Sequence, residues 1–221
     1  MLAGEHRMLS ELSDLWLLLL GWCLGLLGGP VAESIVRRYR AKRLRPAVIA
    51  ELKELQYTCA LVAHELYGHL GKIDRSLSEW VVTTIESYDG PDRDEHTLEL
   101  FRNALSRPPE EQNASLTKKN PWDAKRVVSY QLPFLDANLP SLADCSLAFQ
   151  QPVLNIKSQL ELFNGQVASV RSNLERTFDP SLTGINRQLL DGNINRGYDD
   201  LAMRARDIAD KIAALCREVA S

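Results

Sequence analysis

Between Leu15 and Ala32 the chain reads LWLLLLGWCLGLLGGPVA, eighteen consecutive residues without a formal charge. A run of that length and composition can cross the hydrocarbon core of a bilayer as a helix. Directly behind it comes ESIVRRYRAKRLRP, which carries six basic residues: Arg37, Arg38, Arg40, Lys42, Arg43 and Arg45. This juxtaposition constrains the rest of the chain more than any other feature of it.

Two kinds of segment fit an uncharged run near an N-terminus, a cleaved signal peptide and a permanent anchor. A signal peptide needs a basic leader, a shorter apolar core and small residues at the cut. Here the leader MLAGEHRMLSELSD sets Glu5, Glu11 and Asp14 against Arg7 alone, and Pro30-Val31-Ala32 makes a poor cleavage site. The basic cluster resists translocation and belongs on the cytoplasmic side. The reading is therefore a single-pass anchor with its N-terminus outside, in a bacterial inner membrane or a plasma membrane. Its divisions are an extracytoplasmic stretch 1–14, a transmembrane helix 15–36, a basic juxtamembrane segment 37–45 and a cytoplasmic domain 46–221.

Within the span, Gly21, Gly25 and Gly29 recur every fourth residue and share one helix face. Stacked glycines let a second helix approach closely, the small-xxx-small pattern, so this face is expected to support a homodimer of anchors. Pro30 is tolerated near the inner end of a span and tilts or kinks its exit. The basic cluster serves as a topology signal and as a site of attraction to the anionic leaflet, worth about 1 kcal/mol per residue. Nucleic acid is not expected as a partner, because the cluster offers only Tyr39 for stacking on a base.

Charge separates the tether from the domain. The chain has 26 basic and 29 acidic residues; residues 1–45 hold 7 and 4 of them, which leaves 19 against 25, a net of −6, for residues 46–221. An acidic domain behind a basic tether is repelled by the surface that the tether seeks. Cys23, Cys59, Cys145 and Cys216 are widely spaced and form no CxxC pair. They imply no disulfide framework and no zinc site. Asn113-Ala114-Ser115 is a glycosylation sequon, inert on the cytoplasmic side.

After the tether the pattern is helical. Pro46 suits a first helical turn. Val48, Leu52, Leu55, Cys59, Val62, Leu66, Leu70, Ile73, Leu77, Trp80, Thr84 and Ser87 keep three-and-four spacing, a heptad seam that predicts one long helix running through Gly68 and Gly71. Asp89-Gly90-Pro91-Asp92 ends it. A short helix is expected over Glu95–Leu105, a mobile loop over 106–121 as a partner-facing surface, and two helical turns over Trp122–Tyr130. A second long helix starts near Pro140, with the seam Leu142, Cys145, Phe149, Val153, Ile156, Leu160, Phe163, Val167, Val170 and Leu174. A third runs from about Asp199 with Leu201, Ala205, Ile208, Ile212, Leu215 and Val219. No stretch alternates as a strand does. The class is all-α: an N-terminal transmembrane helix, then an elongated bundle of about three long helices with short ones at its sides.

Two motifs suggest chemistry and fail on spacing. AHELYGHLG resembles HExxH, but His64 and His69 are five apart, roughly 140° round a helix, and cannot share a metal. DGNINRGYDDLA places Asp191, Asn193 and Asn195 as the first ligands of a calcium loop, yet Arg196 replaces the required glycine and Ala202 the closing glutamate. No phosphate loop, GxSxG or paired cysteine and histidine is present. The reading assigns no catalytic residue, cofactor or metal, and expects a membrane-anchored scaffold or signalling adaptor that binds a cytoplasmic protein. The alternative is a membrane-acting effector whose anchors cluster when the bundle changes state.

Overall fold

A computed structural model describes residues 3–91, 93–106, 128–179, 181 and 183–220; most side chains before Gly29 lie outside the description. The elements are α1 (Ala3–His69), α2 (Arg75–Glu86), α3 (Glu95–Leu105), α4 (Pro133–Asn138), a 3₁₀ segment (Leu139–Asp144), α5 (Leu147–Arg176) and α6 (Gly184–Ala220). All regular structure among the described residues is helical.

α1 is 67 residues long, which at 1.5 Å per residue is about 100 Å. It runs without interruption through Pro30 and Pro46, so Pro46 lies in the helix interior rather than in a first turn. Its two halves differ sharply. Residues 29–40 are exposed throughout, and Leu44 is the first buried side chain among the described residues. From there Val48, Leu52, Leu55, Cys59, Val62 and Leu66 sink into a core shared with α5 and α6.

α6 is the central helix and packs on both α1 and α5. Its seam Leu190, Ile194, Tyr198, Leu201, Ala205, Ile208, Ile212 and Leu215 is buried along the whole length, facing Phe149, Val153, Ile156, Leu160, Phe163, Val167 and Val170 of α5. The heptad seam that could have called for a second chain is thus covered inside the monomer. A smaller core forms where α2 and α3 fold against Tyr57, joining Ile73, Leu77, Val81, Ile85, Leu98 and Phe101. Tyr57 stacks on Tyr88 at 4.8 Å and fixes the turn between these two helices.

The long helix predicted through Gly71 is two helices. Gly71 adopts φ +66°, a conformation cheap only for glycine. The amide of Lys72 donates to the Tyr67 carbonyl at 2.8 Å and that of Gly71 to Gly68 at 3.1 Å, the paired bonds of a Schellman stop. Asp74 then caps α2, accepting from the Leu77 amide at 2.7 Å. The apolar period survives the break because α2 also buries one face.

The other boundaries shift for comparable reasons. α5 begins at Leu147, not Pro140, since residues 133–144 form α4 and the 3₁₀ segment. α6 begins at Gly184, fifteen residues before Asp199, and absorbs the Asn- and Gly-rich stretch that reads as a turn. Gly197 is there for packing: a Cβ on it would lie 2.5 Å from Val170 Cγ2. The helix over Glu95–Leu105 stands where its pattern puts it. The loop reading over 106–121 lies, but for Ser106, outside the described residues, as do 122–127 of the Trp122–Tyr130 turns; residues 128–130 are not helical.

Candidate functional site

The basic cluster sits on α1 just past the uncharged run, and its last member, Arg45, follows the buried Leu44. At roughly 100° per residue, Arg37, Arg38, Arg40, Lys42, Arg43 and Arg45 fall near 0°, 100°, 300°, 140°, 240° and 80° round the axis. The charge therefore forms a collar round the helix instead of a stripe along one face. Arg37 pairs with Glu33 one turn back, which raises the arginine's pKa further. Arg43 lies over the Tyr39 ring at 4.9 Å. Arg37 and Arg40 also line a notch closed by Ala143 and Asp144 of the 3₁₀ segment.

Arg45 is the exception within the collar. Its guanidinium donates to Ser146 Oγ at 2.6 Å and lies 5.1 Å from the Phe149 ring centre. It clasps the start of α5, a structural role invisible in the sequence because the partners stand 101 residues away.

Gly21, Gly25 and Gly29 are exposed, and a Cβ built on any of them meets nothing within 4 Å. Trp16, Leu19 and Trp22 of the same segment are exposed as well. Among the described residues no helix is long and apolar enough to cross a membrane. The side chains of Cys23, Leu24 and residues 26–28, on which much of the span reading rests, lie outside the described residues.

An open groove of about 810 Å³ borders the bundle near the end from which the exposed part of α1 projects. Ala47 and Ala50 of α1 form its floor, while Tyr88, Pro91, Phe134 and Val219 stand along its walls. Glu51 shapes one side by accepting from the amides of Phe134 and Leu135 at 2.7 and 2.8 Å, which caps α4. Lys53 pairs with Asp89 at 3.0 Å and holds the other side. No local pattern announces this groove, since its walls come from four separate stretches.

The tempting motifs are pulled apart by the fold. His64 turns its ring edge-on to Phe101 of α3, and His69 meets Tyr198 of α6. Burial pushes the His64 pKa down to about 4, so its ring is neutral at physiological pH, and its Nε2 has no hydrogen-bond partner. Asp191, Asn193 and Asn195 lie inside α6, where alternate residues point to nearly opposite sides. Among the described residues no three His, Cys, Asp or Glu side chains could hold a metal ion. Cys59 is fully buried, and desolvation raises its thiol to about 12, which suppresses the thiolate a nucleophile needs. Cys145 is raised by burial too, with Arg45 pulling against it.

The chain matches no protein-family model, no curated protein and no solved structure.

Proposed function

We propose that this chain is a single-pass membrane protein whose helical bundle works by holding other proteins, as a scaffold or signalling adaptor on the cytoplasmic side. The observation that carries the reading is the collar. A helix lying in the plane of a membrane surface carries its cations on one polar face. Cations on every side of a helix suit one that meets the surface end-on, where all of them reach headgroups at once. The uncharged run before the collar is about 27 Å long as a helix, close to the hydrocarbon thickness of about 30 Å. Trp16, at the outer edge of the run, and Tyr39, beyond its inner end, suit the two interfacial belts.

The binding half of the proposal rests on the groove. Its lining is largely apolar, open, and rimmed by Arg45, Lys53 and Glu54. Such a surface suits contact more than chemistry.

The test uses the full chain. After expression, membranes are washed at high pH and the chain is followed; an anchored chain stays in the pellet. Reporter fusions at Ser221 then read the side: a silent alkaline phosphatase with an active cytoplasmic reporter supports the orientation, and the reverse overturns it. Neutralising Arg37, Arg38, Arg40, Lys42 and Arg43 together weakens or inverts the preference. For the groove, a photo-reactive residue at Phe134 gives discrete adducts if a partner docks there, and none if the walls serve only to close the fold.

A further inference from the structure

α5 carries a second seam. Its core side is filled by Phe149, Val153, Ile156, Leu160, Phe163, Val167 and Val170. On the opposite side Leu147, Gln151, Leu154, Ser158, Leu162, Gly165, Ser169 and Ser172 repeat with the same three-and-four spacing, and every one is exposed. Leu147, Leu154 and Leu162 are 69%, 45% and 53% exposed. None of the eight carries a charge, in a chain where 25% of residues do. Glu161 stands at the border of the stripe and is tied sideways to Lys157 at 3.1 Å.

Gly165 adds an independent sign. It is interior to a 30-residue helix, and a Cβ there would meet nothing within 4 Å. The monomer has no use for a glycine at this position, and in a helix interior it costs about 0.5–1 kcal/mol against alanine. A glycine on an exposed face is useful where another helix comes close from outside.

We infer that this face of α5 is the contact between two copies of the chain, paired in parallel about an axis along the bundle. The inference rests on the membrane-anchored reading, because anchors in one membrane fix both copies in the same sense. In a parallel twofold pair each residue near the axis meets its own copy. Any charge there would face a like charge, so a stripe free of charge over eight positions fits such a pair. Leu147, Leu154 and Leu162 fill the face from the tethered end to just past its middle, and Gly165, Ser169 and Ser172 let the helices close in beyond them.

The size of the face sets its strength. From Leu147 to Ser172 it is about 38 Å long, and with a width of about 10 Å it buries on the order of 800 Å² in the pair. Stable complexes in solution bury about 1,200 Å² or more. The contact is therefore weak for free chains and becomes effective when tethering raises the local concentration.

The experiment places single cysteines in the full chain, in a Cys23→Ser background, and cross-links membranes with a short bismaleimide. Leu147→Cys and Ser172→Cys should both give dimers, and Leu100→Cys, exposed on α3, should not. Adding Leu162→Lys or Leu162→Glu to Leu147→Cys should each cut the dimer about tenfold, and co-expressing the two should restore it. Circular dichroism of both variants should be unchanged, as the site is exposed. Equal bands from Leu147→Cys and Leu100→Cys overturn the inference, as does indifference to Leu162→Lys. A dimer from Ser158→Cys without one from Leu147→Cys overturns the parallel sense, and an adduct of another mass overturns the self-pair. If the high-pH wash releases the chain, the anchor reading fails alone; the contrast of Leu147→Cys with Leu100→Cys, read on the released chain concentrated enough to populate a weak pair, still decides the face.

Discussion

Two glycines of α6, five residues apart, should respond to alanine with opposite signs. Gly192 and Gly197 both lie in the helix interior, so alanine removes the same backbone penalty at each, about 0.5–1 kcal/mol. Their surroundings differ. A Cβ at Gly192 meets nothing within 4 Å, whereas at Gly197 it would lie 2.5 Å from Val170 Cγ2. Val170 is buried, and a β-branched side chain in a helix has essentially one good χ1 rotamer, so it cannot swing aside. The helices must separate, at an overpacking cost of about 1–3 kcal/mol.

The expected balance is a gain of about 0.5–1 kcal/mol for Gly192→Ala and a net loss of about 1–2 kcal/mol for Gly197→Ala. In a chain of this size each kcal/mol moves the melting temperature by about 2–4 °C. Thermal unfolding of the purified chain, followed by circular dichroism, reads both. Val170→Ala should absorb much of the Gly197→Ala penalty, a coupling of about 1–2 kcal/mol in the double-mutant cycle. Destabilisation by Gly192→Ala would refute the helix assignment there and restore the turn that the Asn and Gly residues suggest. Additivity of Gly197→Ala with Val170→Ala would refute the close approach.

His64 titrates below its unfolded value, so the unfolded chain binds the extra proton first: its stabilisation is complete above about pH 6.5 and is lost as pH falls toward about 4. His64→Leu should flatten that limb in urea unfolding series across the same window. Glu51→Ala should cost about 1–2 kcal/mol by stripping the cap from α4, measured by chemical unfolding, while Glu51→Asp recovers part of it. Gly25→Ile should leave the Leu147→Cys cross-link intact if copies meet through α5, and abolish cross-linking through Cys23 in the otherwise native chain if they meet through the glycine face.

Periodicity made much of the fold legible. The seams of α1 and α5 were readable because a helix that buries one face must repeat apolar residues every three or four positions, and Val48, Leu52, Phe149 and Val153 do so. What glycine means was not readable. Gly71 stops a helix, Gly197 lets two helices touch and Gly165 does neither inside the monomer, yet all three are the same letter in similar company. Only φ at the first and the Val170 contact at the second tell them apart. The N-terminal half of α6 was lost because Asn193, Asn195 and Gly192 outweighed the Leu190, Ile194 and Tyr198 period, and tertiary burial then overrode their turn preference. The groove and the Arg45 clasp were out of reach for another reason. Their partners lie 83 and 101 residues apart, at Glu51–Phe134 and Arg45–Ser146, and no local pattern encodes a contact at that range.

The two faces offered for self-association cannot serve one parallel pair together. α6 lies between α1 and α5, packing on both, and the uncharged stripe is on the side of α5 turned away from that core. Packed helices sit about 8–10 Å apart, so an axis along the stripe leaves the two α1 helices on the order of 30 Å apart. Glycine-faced anchors need backbones nearly in contact. If the chain is anchored as proposed and copies pair through α5, their anchors enter the bilayer as two separate helices, which leaves Gly21, Gly25 and Gly29 open to the anchor of a different protein. On the proposed reading, a dimer with two separated glycine faces gathers two such partners side by side, as an adaptor does.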